Sequence, residues 1–162
     1  MMSSADQAFI CSRIPHRPPF LWIDTILELS EQGILAAKTI PADLELFQGH
    51  YPDYPLMPGV LLCEAVFQAG AVYISELLAR EGEEQGSPAA PTAVPVLTRI
   101  LGARFKREVR PGDAIEIRVS PKERLAAAWF LKGTVRVQGK VAVQVEFACA
   151  LKGAESGADK GA

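Results

Sequence analysis

The chain has 162 residues, of which 49% are hydrophobic and 22% charged, and this composition suits a single folded domain with a sizeable core. A formal net charge of −2 excludes a strongly basic protein that binds nucleic acid through its phosphates. The three cysteines lie far apart, without the spacing of a disulfide framework or a metal site, so free, mostly buried thiols are expected.

The two ends of the chain and one internal stretch are predicted to lie outside the core. Residues 1–12 contain no signal peptide and are expected to be flexible. Residues 81–95 mix acids with glycine and proline, which predicts a surface connection, and the small polar residues 153–162 predict a flexible tail. One domain over 13–152 is therefore expected. No uncharged apolar run reaches about 18 residues, so no membrane span is predicted and a cytoplasmic protein is expected.

Apolar periodicity predicts a hairpin in the first half of the chain. Its strands are Phe20–Leu29 and Ile34–Ile40, joined by the turn SEQG. Residues Gly59–Arg80 contain no proline, and apolar side chains surround most of the helix that they predict. A helix of that kind is buried on most of its sides.

The second half predicts strands. They are one or two segments within Val94–Val109, then Ala114–Val119, Ala126–Val137 and Val141–Leu151. On the last strand Val143, Val145 and Phe147 share one side. Because so apolar a helix needs a sheet around it, the predicted fold class is α+β: a long antiparallel sheet wrapped around one central helix, which is the hot-dog architecture.

Residues 47–68, FQGHYPDYPLMPGVLLCEAVFQ, hold the side chains best suited to chemistry. His50 lies in a loop whose prolines fix φ and hold the imidazole in place. Gly59 opens the helix, where free N–H groups and the positive end of the helix dipole favour a carbonyl oxygen that gains negative charge. Glu64 follows among apolar residues and is expected to be paired or to hold a proton.

An imidazole, a carboxyl group and a helix start suit removal of a proton next to a carbonyl with loss of a β-hydroxyl. Spacing alone leaves other interpretations open. His50 could be a structural loop residue and Glu64 a core acid bonded to backbone. His16, the other histidine, is expected to be structural.

The stretch GHYPDYPLMPGVLLCEAVFQ resembles the pattern GHFPxxPxMPGVLxxEAxxQ of the FabZ-type 3-hydroxyacyl-acyl-carrier-protein dehydratases. Tyr51 stands where that pattern has phenylalanine. The resemblance extends to IPHRPPFLWIDTILEL, ARFKREVRPGDAIEI and WFLKGTVRVQGKVAVQVEFACAL, and so covers residues 12–152.

The resemblance implies a hot-dog homodimer, or a hexamer built as a trimer of dimers, with the active site at the dimer interface, where one chain gives the histidine and the other the acid. It implies that His50 takes the C2 proton and that Glu64, oriented by Gln68, holds or protonates the departing hydroxyl. The N–H of Gly59 would polarise the thioester carbonyl. The product would be a trans-2-enoyl thioester in fatty-acid or related lipid biosynthesis. No metal or redox cofactor is implied, and the phosphopantetheine arm belongs to the acyl carrier protein.

The resemblance also implies an apolar acyl tunnel, with Val66, Phe67 and Leu97 as candidate walls, and a basic rim for the acidic carrier. The rim candidates are Arg104, Lys106, Arg107 and Arg110. Because alternate strand residues point to opposite faces, these four cannot all form one patch.

The sequence departs from the family near the expected tunnel. Val96 and Leu97 replace aromatic residues, Leu101-Gly102 replaces an Asp-Lys pair, and Pro18 replaces a common aromatic. These changes bear on acyl length, tunnel gating and carrier recognition. Two other functions stay open from the sequence: a hot-dog acyl-thioesterase, and a non-enzymatic acyl-thioester-binding domain. The few residues before Ile14 cannot form a helix-turn-helix, which counts against a regulator.

Overall fold

The structure is a computed structural model that describes residues 4–86 and 93–153. In that range the chain forms two α-helices, α1 (Ser4–Arg13) and α2 (Gly59–Glu84), and a short 3-10 helix at Glu45–Gln48. The strands are β1 (Thr25–Ser30), β2 (Gly33–Thr39), β3 (Ala93–Phe105), β4 (Ala114–Leu125), β5 (Ala128–Val137) and β6 (Lys140–Gly153).

The strands form one six-stranded sheet in the order β1-β2-β4-β5-β6-β3, and every neighbouring pair is antiparallel. Helix α2 contacts all the strands from β2 to β6. The predicted α+β class and hot-dog architecture are therefore confirmed. On β6 the side that faces α2 carries Val143, Val145 and Phe147, all buried as the alternation predicts.

Two glycines let α2 lie directly on the sheet. A Cβ on Gly70 of the helix would lie 2.8 Å from the Phe147 ring, and one on Gly133 of β5 would lie 2.2 Å from Val66. No side chain fits in either place without movement of its neighbours. Helix α2 is long and apolar enough to cross a membrane, but 72% of its most apolar window is buried inside the protein. It is the core helix of this domain.

Helix α2 ends later than predicted, and the first strand begins later. The helix continues to Glu84, and Arg124 of β4 donates to Glu81 at 2.6 Å, so its last turns are attached to the sheet. The rest of the predicted connection falls partly on residues 87–92, which lie outside the described residues. Residues 20–24 stay outside β1, and the Trp22 N–H donates to the side chain of Gln68 at 2.8 Å.

The described part of the N-terminal segment is a helix, Ser4–Arg13, where a flexible segment was predicted for residues 1–12; residues 1–3 lie outside the described residues. Ile10 is completely buried. Arg13 donates to Glu76 of α2 at 2.7 Å, and Arg17 donates to the carbonyl of Cys11 at 3.0 Å. These contacts with α2 and with the helix end order the segment. At the other end Gly153 belongs to β6, and residues 154–162 lie outside the described residues.

The cysteines are free, as predicted: Cys63 and Cys149 are buried and Cys11 is half-buried. Burial raises the pKa of the Cys149 thiol to about 12 and also raises the pKa of Cys63. Both thiols therefore stay protonated near neutral pH, and their contribution is to packing.

Candidate active site

The loop that carries His50 is fixed by hydrogen bonds at both ends. The His50 N–H donates to Leu46 O at 2.9 Å, and the Met57 N–H donates to Val109 O at 2.7 Å. The His50 Nδ1 lies 2.9 Å from Leu56 O. Because a carbonyl only accepts, Nδ1 carries the proton and Nε2 keeps a free electron pair. The imidazole is thus oriented with its basic nitrogen away from the loop.

His50 lines a pocket of about 950 Å³, which we call the histidine pocket. A volume of this size is typical of small-molecule sites. Its walls near His50 are Tyr51, Met57, Gly59 and Phe105. Its cationic lining residues are Lys106, Arg107, Arg110 and Lys140. The pocket therefore combines a base, an apolar wall and a cationic rim.

Gly59 lies in this pocket at the start of α2. The N-cap residue is Pro58, whose side chain makes no capping hydrogen bond, and the first N–H groups to donate back to its carbonyl are those of Leu61 and Leu62. The earlier N–H groups lie at the unpaired positive end of the helix. A Cβ on Gly59 would lie 2.6 Å from the Phe105 ring, so the ring covers the helix start closely because residue 59 has no side chain.

A second group of side chains surrounds Glu64. Gln68 is completely buried, and its Nε2 donates to Glu64 Oε1 at 3.0 Å and to Phe20 O at 3.1 Å. The Oε1 of Gln68 accepts a hydrogen bond from the backbone N–H of Trp22. The predicted contact between Gln68 and Glu64, one helical turn apart, is therefore present. The same amide also attaches the segment before β1 to the helix.

His16 also belongs to this group, whereas the sequence predicted a structural residue that bonds backbone near the site, without a contact to Glu64. Its Nε2 lies 3.4 Å from Glu64 Oε1, and its ring stacks on Phe20 with the ring centroids 6.3 Å apart. His16 comes from the distant stretch IPHRPPF, so no local spacing relates it to Glu64. The sequence held one signal for it: His16 is one of two histidines in the chain, and it lies in a stretch that also resembles the family.

The two groups of side chains do not share a pocket within one chain. His50 and Gly59 line the histidine pocket, and Glu64 does not. Gly59 and Glu64 are five positions apart, which places them about 140° apart around the helix axis. A single chain therefore presents the imidazole and the carboxyl group on different sides of α2.

The three candidate tunnel walls lie in different surroundings. Val66 is completely buried and contacts Gly133 of the sheet, so it packs in the core of the single chain, and its assignment as a tunnel wall stays a prediction. Phe67 is nearly buried and packs on Phe147 with ring centroids 4.9 Å apart. Leu97 is 38% exposed on the edge strand β3. Neither Phe67 nor Leu97 lines the histidine pocket.

The four basic candidates divide between two surfaces, so they do not form one patch, although only Arg104 lies in a strand, since β3 ends at Phe105. Lys106, Arg107 and Arg110 line the histidine pocket. Arg104 instead lies in a groove of about 750 Å³ on the face of the sheet opposite α2. Its cationic neighbours there are Arg118, Lys132 and Arg136.

Arg110 also joins the loop of His50 to the loop before β4. It donates to Glu108 at 3.2 Å and to the Tyr54 hydroxyl, and Tyr54 donates to Glu108 at 2.7 Å. The hydrogen bonds from Tyr54 and Arg110 lower the pKa of Glu108, and the hydrogen bond to Glu108 raises the pKa of Tyr54. Tyr54 is exposed, as expected, but it is a bridging residue between two loops.

A six-stranded antiparallel sheet around one buried helix places the chain in the hot-dog class. Among solved structures it is similar to the dehydratase heterocomplex ApeI:P from Xenorhabdus doucetiae, with a TM-score of 0.63, 18% identity, and coverage of 90% of this chain and 91% of that one. Residues 14–146 match the model of the FabA-like domain family.

Curated relatives are similar over almost their whole length. The chain is 38% identical to the 3-hydroxyacyl-[acyl-carrier-protein] dehydratase FabZ of Petrotoga mobilis over 139 residues, 86% of this chain and 92% of the relative. It is 39% identical to the FabZ of Burkholderia cenocepacia over 148 residues, 91% of each chain. The chain belongs to the FabA-like family and, within it, to the FabZ-type dehydratases.

Proposed function

We propose that this protein removes water from 3-hydroxyacyl thioesters carried on an acyl carrier protein and forms trans-2-enoyl thioesters for fatty-acid or related lipid biosynthesis. Family membership supports the reaction. The single observation that carries it is the orientation of His50: Leu56 O holds Nδ1–H, so a basic Nε2 lies in the same pocket as the start of α2.

The proposed steps use three groups. His50 Nε2 takes the proton from C2, which forms an enolate at the thioester carbonyl. The N–H of Gly59, at the positive end of α2, donates to that carbonyl oxygen and stabilises its charge. The C2=C3 double bond forms as the C3–O bond breaks, and Glu64 gives a proton to the departing hydroxyl, which leaves as water.

The acid in each site is proposed to come from a second copy of the chain. One chain alone separates the histidine pocket from Glu64, so a complete site needs a partner. Strand β3 offers the place to join: among the described strands it is a 13-residue edge strand that pairs with β6 alone. Its exposed apolar side chains are Val94, Val96, Leu97, Ile100, Leu101 and Phe105. A long apolar edge is unfavourable in water unless it is covered.

The acyl carrier protein is proposed to approach over the cationic rim of the histidine pocket. Lys106, Arg107 and Arg110 suit an acidic partner, whereas Arg104 points to the other face of the sheet. Val66, Phe67 and Leu97 remain the proposed tunnel walls once a partner covers β3. Assembly of dimers into a hexamer and a cytoplasmic location complete the proposal.

The test is incubation with 3-hydroxyacyl carrier proteins of several acyl lengths, followed by mass spectrometry of the intact carrier. Loss of one water with the acyl chain still attached is the expected result. Release of the free acid would identify a thioesterase instead. An unchanged carrier at every acyl length would contradict any enzymatic function on these thioesters.

A further inference from the structure

Two side chains lie beside the same oxygen of Glu64: Gln68 donates a hydrogen bond to it, and His16 approaches it. Gln68 Nε2 lies 3.0 Å from Oε1, and His16 Nε2 lies 3.4 Å from it. Within residues 4–86 and 93–153, Oε2 has no hydrogen-bond partner. The 3.4 Å contact is at the long end of hydrogen-bonding distances, and catalytic hydrogen bonds commonly shorten when substrate binds. The carboxyl group is therefore held on one side and open on the other.

The surroundings of His16 decide which ring nitrogen carries the proton. Its Nδ1 is buried and has no hydrogen-bond partner among the described residues. A proton on Nδ1 would be a buried donor without an acceptor, and orphaned N–H groups are rarer in proteins than under-satisfied acceptors. The neutral imidazole therefore carries its proton on Nε2, where Glu64 Oε1 can accept it.

The backbone around His16 is held in place, so the ring approaches Glu64 from a fixed direction. Arg17 donates to the carbonyl of His16 at 2.7 Å and to that of Ile14 at 2.8 Å. Phe20 stacks on the imidazole, and its carbonyl accepts from Gln68. One connected set of contacts thus places both donors, His16 and Gln68, beside the same oxygen of Glu64.

We propose that His16 is a positioning residue for Glu64 and that Oε2 is the oxygen that gives the proton to the departing 3-hydroxyl. This inference rests on the acid function proposed for Glu64. As the C3–O bond breaks, the proton moves from Oε2 to the leaving oxygen and water departs. The negative charge left on the carboxylate is stabilised at Oε1 by the N–H groups of His16 and Gln68. The imidazole of His16 keeps its proton throughout.

Two substitutions at His16 test this kinetically. His16→Phe keeps a flat ring but removes the donor, and His16→Gln places an amide N–H near the position of Nε2. The Phe variant should lose about ten- to a hundredfold in kcat with little change in KM, as expected for a displaced catalytic group. The Gln variant should recover most of that loss. Wild-type kcat in the Phe variant, or a Gln variant as slow as the Phe variant, would overturn the proposal.

Arg13→Gln is the matched control. It removes the contact with Glu76 that ties the same N-terminal segment to α2, but it does not touch Glu64. It should lower the melting temperature and leave kcat near the wild-type value. A loss of kcat as large as that of His16→Phe would show that loosening the N-terminal segment is enough to slow the reaction. That result would overturn a specific function of His16.

Nitrogen-15 NMR of the histidine side chains gives a readout that does not need turnover. The chain has two histidines, so a substitution at His50 assigns the signals. We expect His16 to be protonated on Nε2 and its Nε2 signal to shift in Glu64→Gln. Protonation on Nδ1, or no shift, would overturn the contact. Failure of the wild-type protein to dehydrate any substrate would refute the proposed function, and this measurement would still decide the state of His16.

Discussion

At the scale of single residues, the geometry supplies what the motif could not. The spacing of His50, Gly59 and Glu64 in the sequence predicted a base, a helix start and an acid. It could not predict which imidazole nitrogen is free, because that depends on the Leu56 carbonyl folding back onto Nδ1. Nor could it predict His16, because the contact with Glu64 joins segments that meet only in the folded chain.

His50→Ala should lower the rate of crotonyl-thioester hydration, the reverse reaction, by at least about a hundredfold, because it removes the imidazole proposed to exchange the proton at C2. Stopped assays of hydration measure the rate, and size-exclusion chromatography should show an unchanged oligomer. Retained activity would remove the imidazole from the mechanism.

Glu64→Gln should also slow turnover, by about a hundredfold, because the amide keeps the shape of the acid but has no proton to give. Gln68 can still contact the new side chain, so the fold should be preserved. Steady-state kinetics with a 3-hydroxyacyl carrier protein measure the effect. Full activity would assign the acid to another group.

At the scale of elements, the strongly patterned segments were predicted and the others were not. Helix α2 and the alternation along β6 follow from burial on fixed faces, which leaves a clear period in the sequence. Helix α1 depends instead on a few tertiary contacts, those of Ile10 and Arg13. Such contacts leave no local period, which is why a flexible segment was the prediction for residues 1–12.

Gly133→Ala should lower the free energy of unfolding by about 1–3 kcal/mol, the usual effect of overpacking, because its Cβ would lie 2.2 Å from Val66. Gly102→Ala is the matched strand control, since nothing lies within 4 Å of the Cβ there. Urea unfolding of both variants measures the difference. An equal loss of unfolding free energy in the two variants would show that α2 does not lie on β5 as closely as described.

Arg13→Gln should lower the free energy of unfolding at neutral pH by about 1–2 kcal/mol. Burial of Glu76 opposes its charge, but hydrogen bonds from Arg13 and Arg80 outweigh burial and lower its pKa. A lowered pKa in the folded state gives stabilisation that is complete above the unfolded pKa of about 4.3 and lost as the pH falls through the folded value. The difference in the free energy of unfolding between the variant and the wild type should therefore become smaller below about pH 4, as measured by urea titrations. A difference that becomes larger in acid would contradict a stabilising ion pair between Arg13 and Glu76.

At the scale of the whole molecule, one chain does not bring together all the side chains of the proposed site. The histidine pocket and Glu64 lie on different sides of α2, and the apolar edge strand β3 is uncovered. The resemblance to the family implied a histidine and an acid from different chains, but residue spacing alone could not predict this separation, because the side of a helix from which a pocket opens depends on the loops around it. The requirement for a partner follows from that geometry.

Leu101→Lys on β3 should shift the protein toward monomers and lower its activity, because a charge on a joined edge is unfavourable. Leu27→Lys on β1, the opposite edge of the sheet, is the matched control: Leu27 is 50% exposed and Leu101 is 47% exposed. Light scattering coupled to size-exclusion chromatography measures the mass of both variants. Dissociation of the Leu27 variant alone would place the interface on the other edge.

The most direct test of a site shared between two chains is subunit mixing. His50→Ala and Glu64→Gln, each nearly inactive alone, are refolded together in equal amounts and assayed for dehydration. Random pairing of a two-fold dimer makes roughly half of the dimers mixed, each with one intact site, so activity should return to about a quarter of the wild-type value. A mixture that stays as inactive as its two components would contradict a base and an acid contributed by different chains.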